Sequence, residues 1–293
     1  MKKVIGMIGL GNMGYPMAEN LLKKEGRLLV YNRTASRCAP LAEKGAEVLG
    51  SPAEMGARAD VIVLSLPGPA QVEEVVSALL ENGRDGQIIL DTSTVDPALS
   101  VRLSDRAKQK GIIYVDVPVS GGPAGAAAAR LSLMIGGTEE EIAALDVKQY
   151  LDTFGSKYFY TGKRGGGNAV KIINNFMAFA AQVINGEAIA MADALGIDLD
   201  TFYDVTTQSS GNNMILGAKM AKVKAGDEKP GFATDLVVKD LELARQLCQE
   251  VQVPNWSLNT ALQFYRLSQR QGHGKDDSSV VIRTIRELAG QAR

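Results

Sequence analysis

The chain has 293 residues, 45% of them hydrophobic, enough for one or two domains with substantial cores. A net charge of −1 makes neither nucleic acid nor an anionic membrane an obvious partner, and the long apolar stretch 176–195 carries Asn, Glu and Asp, so no transmembrane helix is expected. Two cysteines, Cys38 and Cys248, cannot make a disulfide framework, which fits a reducing cytoplasm, and the lone histidine, His273, excludes a His-rich zinc site. The opening MKKVIGMIGLG has the basic start of a signal peptide. Glycines cut its apolar run, which leads directly into a motif, so no targeting segment is expected.

In chain order, the first half alternates short apolar runs with amphipathic stretches. The runs 4–8, 28–31, 61–66, 88–90, 113–117 and 131–135 read as buried strands, and 18–24, 70–80 and 97–110 as helices. That rhythm predicts a parallel, doubly wound sheet with helices on both faces, an α/β nucleotide-binding architecture. From Gly165 onward the β signal vanishes. Helical periodicity takes over at 168–195, 199–207, 235–251, 257–270 and 278–292. In the first of these, the triplet Gly165–Gly167 and Asn168 as N-cap start a helix of roughly 27 residues, roughly 40 Å long, that can act as a spine between two domains. The expected boundary divides the chain into 1–163, Rossmann-like, and 164–293, all-helical.

The motifs sit at the ends of these elements. Gly9-Leu10-Gly11-Asn12-Met13-Gly14 follows the first strand directly and opens a helix. Gly9 makes the tight turn, Gly11 admits a pyrophosphate to the backbone, and Gly14 lets helix pack on sheet. The anion then lies at the helix N-terminus. After the second strand come Asn32, Arg33 and Thr34, with no carboxylate between Leu28 and Arg37. A carboxylate there would bind the ribose of NAD, whereas a guanidinium fork and a hydroxyl suit a 2′-phosphate, so NADP(H) is expected over NAD(H). Leu66-Pro67 and Asp91-Thr92-Ser93-Thr94 close the third and fourth strands, where open sheets bind ligands, although a Ser/Thr cluster before Pro97 also suits a helix start. Ser120-Gly121-Gly122 follows a strand break at Pro118 and could cradle a carboxylate.

The second half offers fewer signals that stand alone. Lys171 and Asn175 fall one turn apart on the spine, Lys171 in its first turn. Taken alone, Lys171 reads as a solvated lysine. Lys239 reads the same way, on a polar flank beside an apolar stripe of Leu236, Leu243, Ala244, Leu247 and Val251, and Phe232 reads as a core anchor. Ser209–Asn213 reads as a polar loop, and His273, between two glycines, as a mobile loop residue rather than a proton donor.

Five ordered segments, GLGNMGYPMAENL, DTSTVDP, DVPVSGGPAGAAAARLSLMIGG, GGGNAVKIINN and GFATDLVVKDL, resemble the β-hydroxyacid dehydrogenase family over nearly the whole chain. That family includes 3-hydroxyisobutyrate dehydrogenases, tartronate semialdehyde reductases and glyoxylate/succinic semialdehyde reductases. The resemblance implies a Rossmann-like domain, a helical domain hung on a long helix, and an active site in the cleft between. It implies Lys171 as catalytic acid/base with Asn175 beside it, and Ser120, Gly121, Gly122 and Asn174 on the substrate. Thr94 and Lys239 fall on the cofactor side, Phe232 is a wall of the site, and Asp240 is a supporting polar residue. The chain departs from the family at Ala129, where glycine is usual, which predicts a slightly different backbone path. The expected activity is NADP-dependent hydride transfer to or from a small hydroxy acid or semialdehyde carboxylate, without metal. Two further readings are a non-catalytic assembly module, which could dispense with Lys171, Asn175 and Lys239, and an imine reductase, which generally lacks the SGG and KxxNN pair. Apolar, alanine-rich helices in the second half predict a homodimer or homotetramer.

Overall fold

Along each buried strand the side chains alternate between two apolar layers, and this alternation builds the first part of the protein. In the computed structural model, which describes residues 3–291, the chain divides into two compact units, Met1–Lys171 and Ile172–Arg293. The first unit opens with β1 (Ile5–Ile8), α1 (Gly14–Glu25), β2 (Leu29–Tyr31), α2 (Ala39–Ala42), β3 (Glu47–Val48), α3 (Pro52–Arg58) and β4 (Val61–Leu64). It continues with α4 (Pro69–Asn82), β5 (Ile88–Asp91), α5 (Pro97–Lys108) and β6 (Ile113–Asp116). All six strands are parallel, in the order β3-β2-β1-β4-β5-β6. Met7, Val30, Val63, Leu90 and Val115 enter one core layer, and Ile8, Leu29, Ile62, Ile89 and Tyr114 enter the other. The strand order reverses between β1 and β4, and the glycine motif leaves the sheet there.

The sequence places 131–135 in this same parallel rhythm, and the structure does not. Beyond β6 the unit folds as β7 (Val119–Ser120), α6 (Gly122–Ala127), β8 (Leu131–Ile135), α7 (Glu139–Ala144), α8 (Lys148–Leu151) and β9 (Gly155–Tyr160). These strands form a separate three-stranded sheet, with β8 antiparallel to β7 and parallel to β9. Pro118 ends the run from β6, and the chain turns back through the glycines that follow. Strand β9 escaped notice because only its first residue is buried, and β3 because both of its residues are exposed.

Helix α9 runs from Gly166 to Ala194, and the division between the units falls within it. It starts two residues earlier than expected. Asn168 is therefore inside the helix rather than its N-cap, and Lys171 lies in the second turn rather than the first. In the second unit follow α10 (Leu199–Thr207), α11 (Met214–Ala225), α12 (Thr234–Glu250), α13 (Trp256–Arg270) and α14 (Val280–Leu288). The sequence pattern missed α11, whose apolar residues keep to no single face and bury only Leu216 and Met220; Asn213, at the end of the polar loop, caps it by accepting the Leu216 amide. On α12 the buried positions include Val237, Leu241, Leu243 and Ala244, whereas Leu236 is half-buried and Val251 exposed, so the face is rotated from the expected stripe. Helix α14 is shorter than the predicted 278–292, and Ala292 lies outside the described residues. Among the described residues no helix is long and apolar enough to cross a membrane.

Ala129 takes a left-handed backbone that glycine adopts most readily. Its φ is +54°, in the left-handed region, and it ends α6 in a Schellman motif in which Ala129 N–H donates to Ala126 and Arg130 N–H to Gly125. The path is thus the one a glycine would take, and alanine carries the strain. A left-handed alanine costs about 1–2 kcal/mol, partly offset by the freedom glycine gains on unfolding. Ala129→Gly is therefore expected to stabilise the protein by roughly 0.5–1 kcal/mol, read as a higher denaturant midpoint with unchanged slope.

Candidate active site

The turn after β1 is built from contacts that exclude a side chain. Gly9 has φ +93°, and a Cβ there would lie 2.1 Å from the Ser65 carbonyl oxygen; a Cβ on Gly14 would lie 1.9 Å from the Gly9 carbonyl oxygen. These two glycines are required by the protein's own packing. Gly11 is different. A Cβ there would meet only the Arg37 guanidinium, at 3.7 Å, so nothing in the fold forbids a side chain. Helix α1 has no side-chain cap at Met13 and no acidic residue in its first turn, which leaves its first amides and dipole for an anion. Leu10 is buried and donates its amide to Asn32 Oδ1, while Asn32 Nδ2 donates to the Thr34 carbonyl. Asn12, Arg33 and Thr34 are exposed around this turn. The residues present therefore fit a dinucleotide.

Beside this turn, the loops after β4 and β5 are joined. Leu66 N–H donates to Ser93 Oγ at 2.9 Å, and Thr92 Oγ donates to the Leu64 carbonyl. Leu66 and Thr94 are half-buried and Pro67 is exposed. Behind them lies Asp91, fully buried, which accepts from the Ser93 amide and from the Tyr114 hydroxyl. Burial pushes its carboxyl up to about 6, against the Ser93 hydroxyl, the Tyr114 hydroxyl and the Ser93 amide.

A second buried carboxylate, Asp116, ends β6. Its Oδ1 accepts from Gly165 N–H at 2.9 Å and its Oδ2 from Asn168 N–H at 3.0 Å, so it caps the start of α9. Burial raises its pKa, opposed by these amides and by Arg164. The side chain of Asn168 is fixed as well, its Oδ1 accepting from Val95 N–H and its Nδ2 donating to Ser100 Oγ, both at 3.0 Å. Three residues further on, Lys171 is buried, only 8% exposed. It is not the solvated lysine that its sequence position alone suggests. In the same unit, Ser120 ends β7 half-buried, and Gly121 and Gly122 both have positive φ, +132° and +65°.

In the second unit the functional candidates form a chain of contacts. Asn175 is buried and donates to Asp240 Oδ2 at 2.6 Å, and Lys239 Nζ lies 2.8 Å from Asp240 Oδ1. Asp240 thus joins two other candidates, and Lys239 is half-buried rather than solvated. Asn174, its neighbour on α9, donates to Asn175 Oδ1. Phe232 packs on Phe179 with ring centroids 5.5 Å apart, in the core of the unit. Its loop is held by buried Asp277, which accepts from Gly231 N–H and Lys219 Nζ. Burial alone would raise the Asp277 carboxyl, but Lys219 and the Ser279 donors outweigh it and hold it at about 2.

His273 is not a mobile residue. Its Nδ1 lies 2.8 Å from Asp276, and Arg283 reaches both ring nitrogens and Glu228. Among the described residues, Glu228, His273 and Asp276 are the one group placed to share a metal ion, and the Arg283 guanidinium already sits against two of them.

Sequence reasoning placed Asp91 in a ligand-side loop without a role of its own, and gave none to Asp116 or Asp277. For the first two a signal existed: a lone acid ends each of two successive buried strands.

The fold and its glycine turn define a dinucleotide-binding unit followed by a helical one. A family model described as the NAD binding domain of 6-phosphogluconate dehydrogenase matches residues 4–162, and one described as the NAD-binding region of NADP-dependent 3-hydroxyisobutyrate dehydrogenase matches 165–285. The mitochondrial 3-hydroxyisobutyrate dehydrogenase of Homo sapiens is 34% identical over 98% of this chain and 88% of its own. The NAD-dependent L-serine dehydrogenase of Pseudomonas aeruginosa is 32% identical over 99% of this chain and 100% of its own. In structure, the 3-hydroxyisobutyrate dehydrogenase of Mycobacterium tuberculosis, solved with L-serine, superposes with a TM-score of 0.89 at 30% identity, covering 98% of this chain and 100% of the other. The chain belongs to the β-hydroxyacid dehydrogenase family.

The Asp91 site makes stability fall as pH rises. The folded carboxyl, at about 6, keeps its proton where the unfolded one, near 3.8, has lost it, so stability is lost progressively from about pH 4 to about pH 6 and stays lost above. Over that window the wild type should lose about 2–3 kcal/mol relative to Asp91→Asn, measured by denaturant unfolding between pH 4 and pH 8.

Proposed function

We propose that the protein is an NADP-dependent β-hydroxyacid dehydrogenase, acting in the cytoplasm on a small hydroxy acid or semialdehyde carboxylate of the 3-hydroxyisobutyrate type. The observation that carries this is Lys171, a cation buried near the start of a long helix whose first amides are tied to a carboxylate of the nucleotide-binding unit. Lysines are seldom buried, so this position is a candidate for chemistry. The family resemblance gives the matching lysine the role of acid/base, and the human relative is named a 3-hydroxyisobutyrate dehydrogenase.

In this reading Gly9–Gly14 and the first amides of α1 hold the pyrophosphate, Arg33 and Thr34 hold the 2′-phosphate, and Leu66, Pro67, Thr94 and Lys239 line the rest of the nucleotide. The nucleotide, when bound, supplies or accepts the hydride. The hydroxyl and amides of Ser120-Gly121-Gly122 hold the substrate carboxylate, and Asn174, Asn175, Phe232 and Asp240 complete its surroundings. Lys171 Nζ donates a proton to the carbonyl oxygen as the C–H bond forms, and takes it back in the oxidative direction.

The relative from Pseudomonas aeruginosa is named NAD-dependent, so the cofactor preference rests on this chain's own residues. Arg33 and Thr34, with no carboxylate beside them, favour the phosphorylated nucleotide. Expected kcat/KM is higher with NADPH than with NADH. Arg33→Ala should lower the NADPH value by about 10–100-fold, the worth of a charge-assisted phosphate contact, and leave the NADH value nearly unchanged. A preference for NADH in the unaltered protein contradicts the assignment.

Lys171→Ala tests the chemistry. With 3-hydroxyisobutyrate and NADP⁺ as probes, kcat should fall by about 10²–10⁴-fold, the usual contribution of a positioned acid/base, while the Kd for NADPH measured by fluorescence stays the same. A variant with near-normal kcat would remove Lys171 from the mechanism.

A further inference from the structure

A buried carboxylate receives the first amides of α9, and the space around it leaves no latitude. A Cβ on Gly136 would lie 1.9 Å from Asp116 Oδ1, and one on Gly167 would lie 2.9 Å from Asp116 Oδ2 and 2.3 Å from the Met134 carbonyl oxygen. Two glycines are thus needed to bring β6, the end of β8 and the start of α9 together at this carboxylate. The helix dipole favours a negative group there, and each carboxylate oxygen takes one of the amide protons that the helix cannot satisfy itself. A second tie runs from the Asn168 side chain to Val95 N–H and Ser100 Oγ, just past the Asp91–Thr94 loop. Lys171 follows three residues after Asn168 on the same rigid element.

We propose that Asp116, with Asn168 as its partner, is the positioning residue for Lys171: the carboxylate fixes the axial and rotational setting of the first turns of α9, and so the place of the lysine nitrogen relative to the loop after β5. The inference rests on the proposed role of Lys171. Its chemistry is one of geometry alone. Asp116 is buried with both oxygens taken by backbone amides, and it holds the helix by two acceptor oxygens where asparagine has only one and would turn an N–H toward an amide donor. A shift of about 1 Å in an acid/base is worth about 100-fold in rate.

The experiment is a double-mutant cycle on the full chain, with 3-hydroxyisobutyrate and NADP⁺ as probes. Kinetic constants and the NADPH Kd are measured for the wild type, Asp116→Asn, Lys171→Ala and the double variant. Asp116→Asn should lower kcat by about 10–100-fold with the NADPH Kd within about twofold of normal, and should change the residual rate of Lys171→Ala by less than about threefold, because a residue that acts through the lysine has nothing left to position. An equal loss in both backgrounds, or a loss of nucleotide binding as large as the loss in kcat, overturns the proposal and makes Asp116 a residue of general fold integrity. Should Asp116→Asn fail to fold, Asn168→Ala is carried through the same cycle with the same two outcomes. If Lys171→Ala alone keeps near-normal kcat, the proposed function fails and this inference with it, an outcome distinct from additivity.

Discussion

Backbone amides at the start of a long helix must find acceptors when they are buried, and in this protein a single carboxylate, Asp116, takes two of them. That constraint organises much of the first unit. It demands glycine at positions 136 and 167, it ends β6 on an acid in an apolar layer, and it sets where α9 leaves the unit. Asp91, at the same level on the adjacent strand, pairs in register with Asp116 and binds Tyr114 and the Ser93 amide. Two buried acids at the ends of neighbouring strands are expensive for folding. Apart from Tyr114 on β6, their donors lie in the loop after β5 and at the start of α9, segments proposed to hold the nucleotide and the proton-transfer group. Stability is given up where the chemistry is placed.

The glycine turn shows a different use of the same economy. Gly9 and Gly14 are needed by the fold, since each would drive a side chain into backbone. Gly11 is not, since a side chain there would meet only the Arg37 guanidinium at ordinary contact distance, which is consistent with the pyrophosphate contact proposed for it.

Much of this was legible in the sequence. The parallel sheet could be read because strands covered on both faces are continuous apolar runs, as in 61–64 and 88–90. The glycine motif could be read because its spacing is fixed by covalent geometry. Elements with mixed exposure were the ones lost: β9, α11 and the rotated face of α12. Strand 131–135 was seen, but its sheet was not, since membership of a sheet is decided by the turn at Pro118–Gly122 and not by the strand's own residues. For the site, pattern alone misjudged the setting of Lys171 and Lys239, because burial of a lysine depends on which elements cover it. Only the ordered motifs of the family pointed to them. Asp116 stayed silent for a related reason. Its partners are backbone amides about 50 residues away, which leave no mark in side-chain composition.

The central claim is that this chain moves hydride between a hydroxy acid and a nicotinamide nucleotide. The direct measurement incubates the protein with NADP⁺ and 3-hydroxyisobutyrate, or other short 3-hydroxy acids, deuterated at the carbinol carbon, and reads the reduced nucleotide by mass spectrometry. The account predicts NADPH one mass unit heavier, with the deuterium at C4 of the nicotinamide. Nucleotide that binds but is never reduced by any member of the series would contradict it.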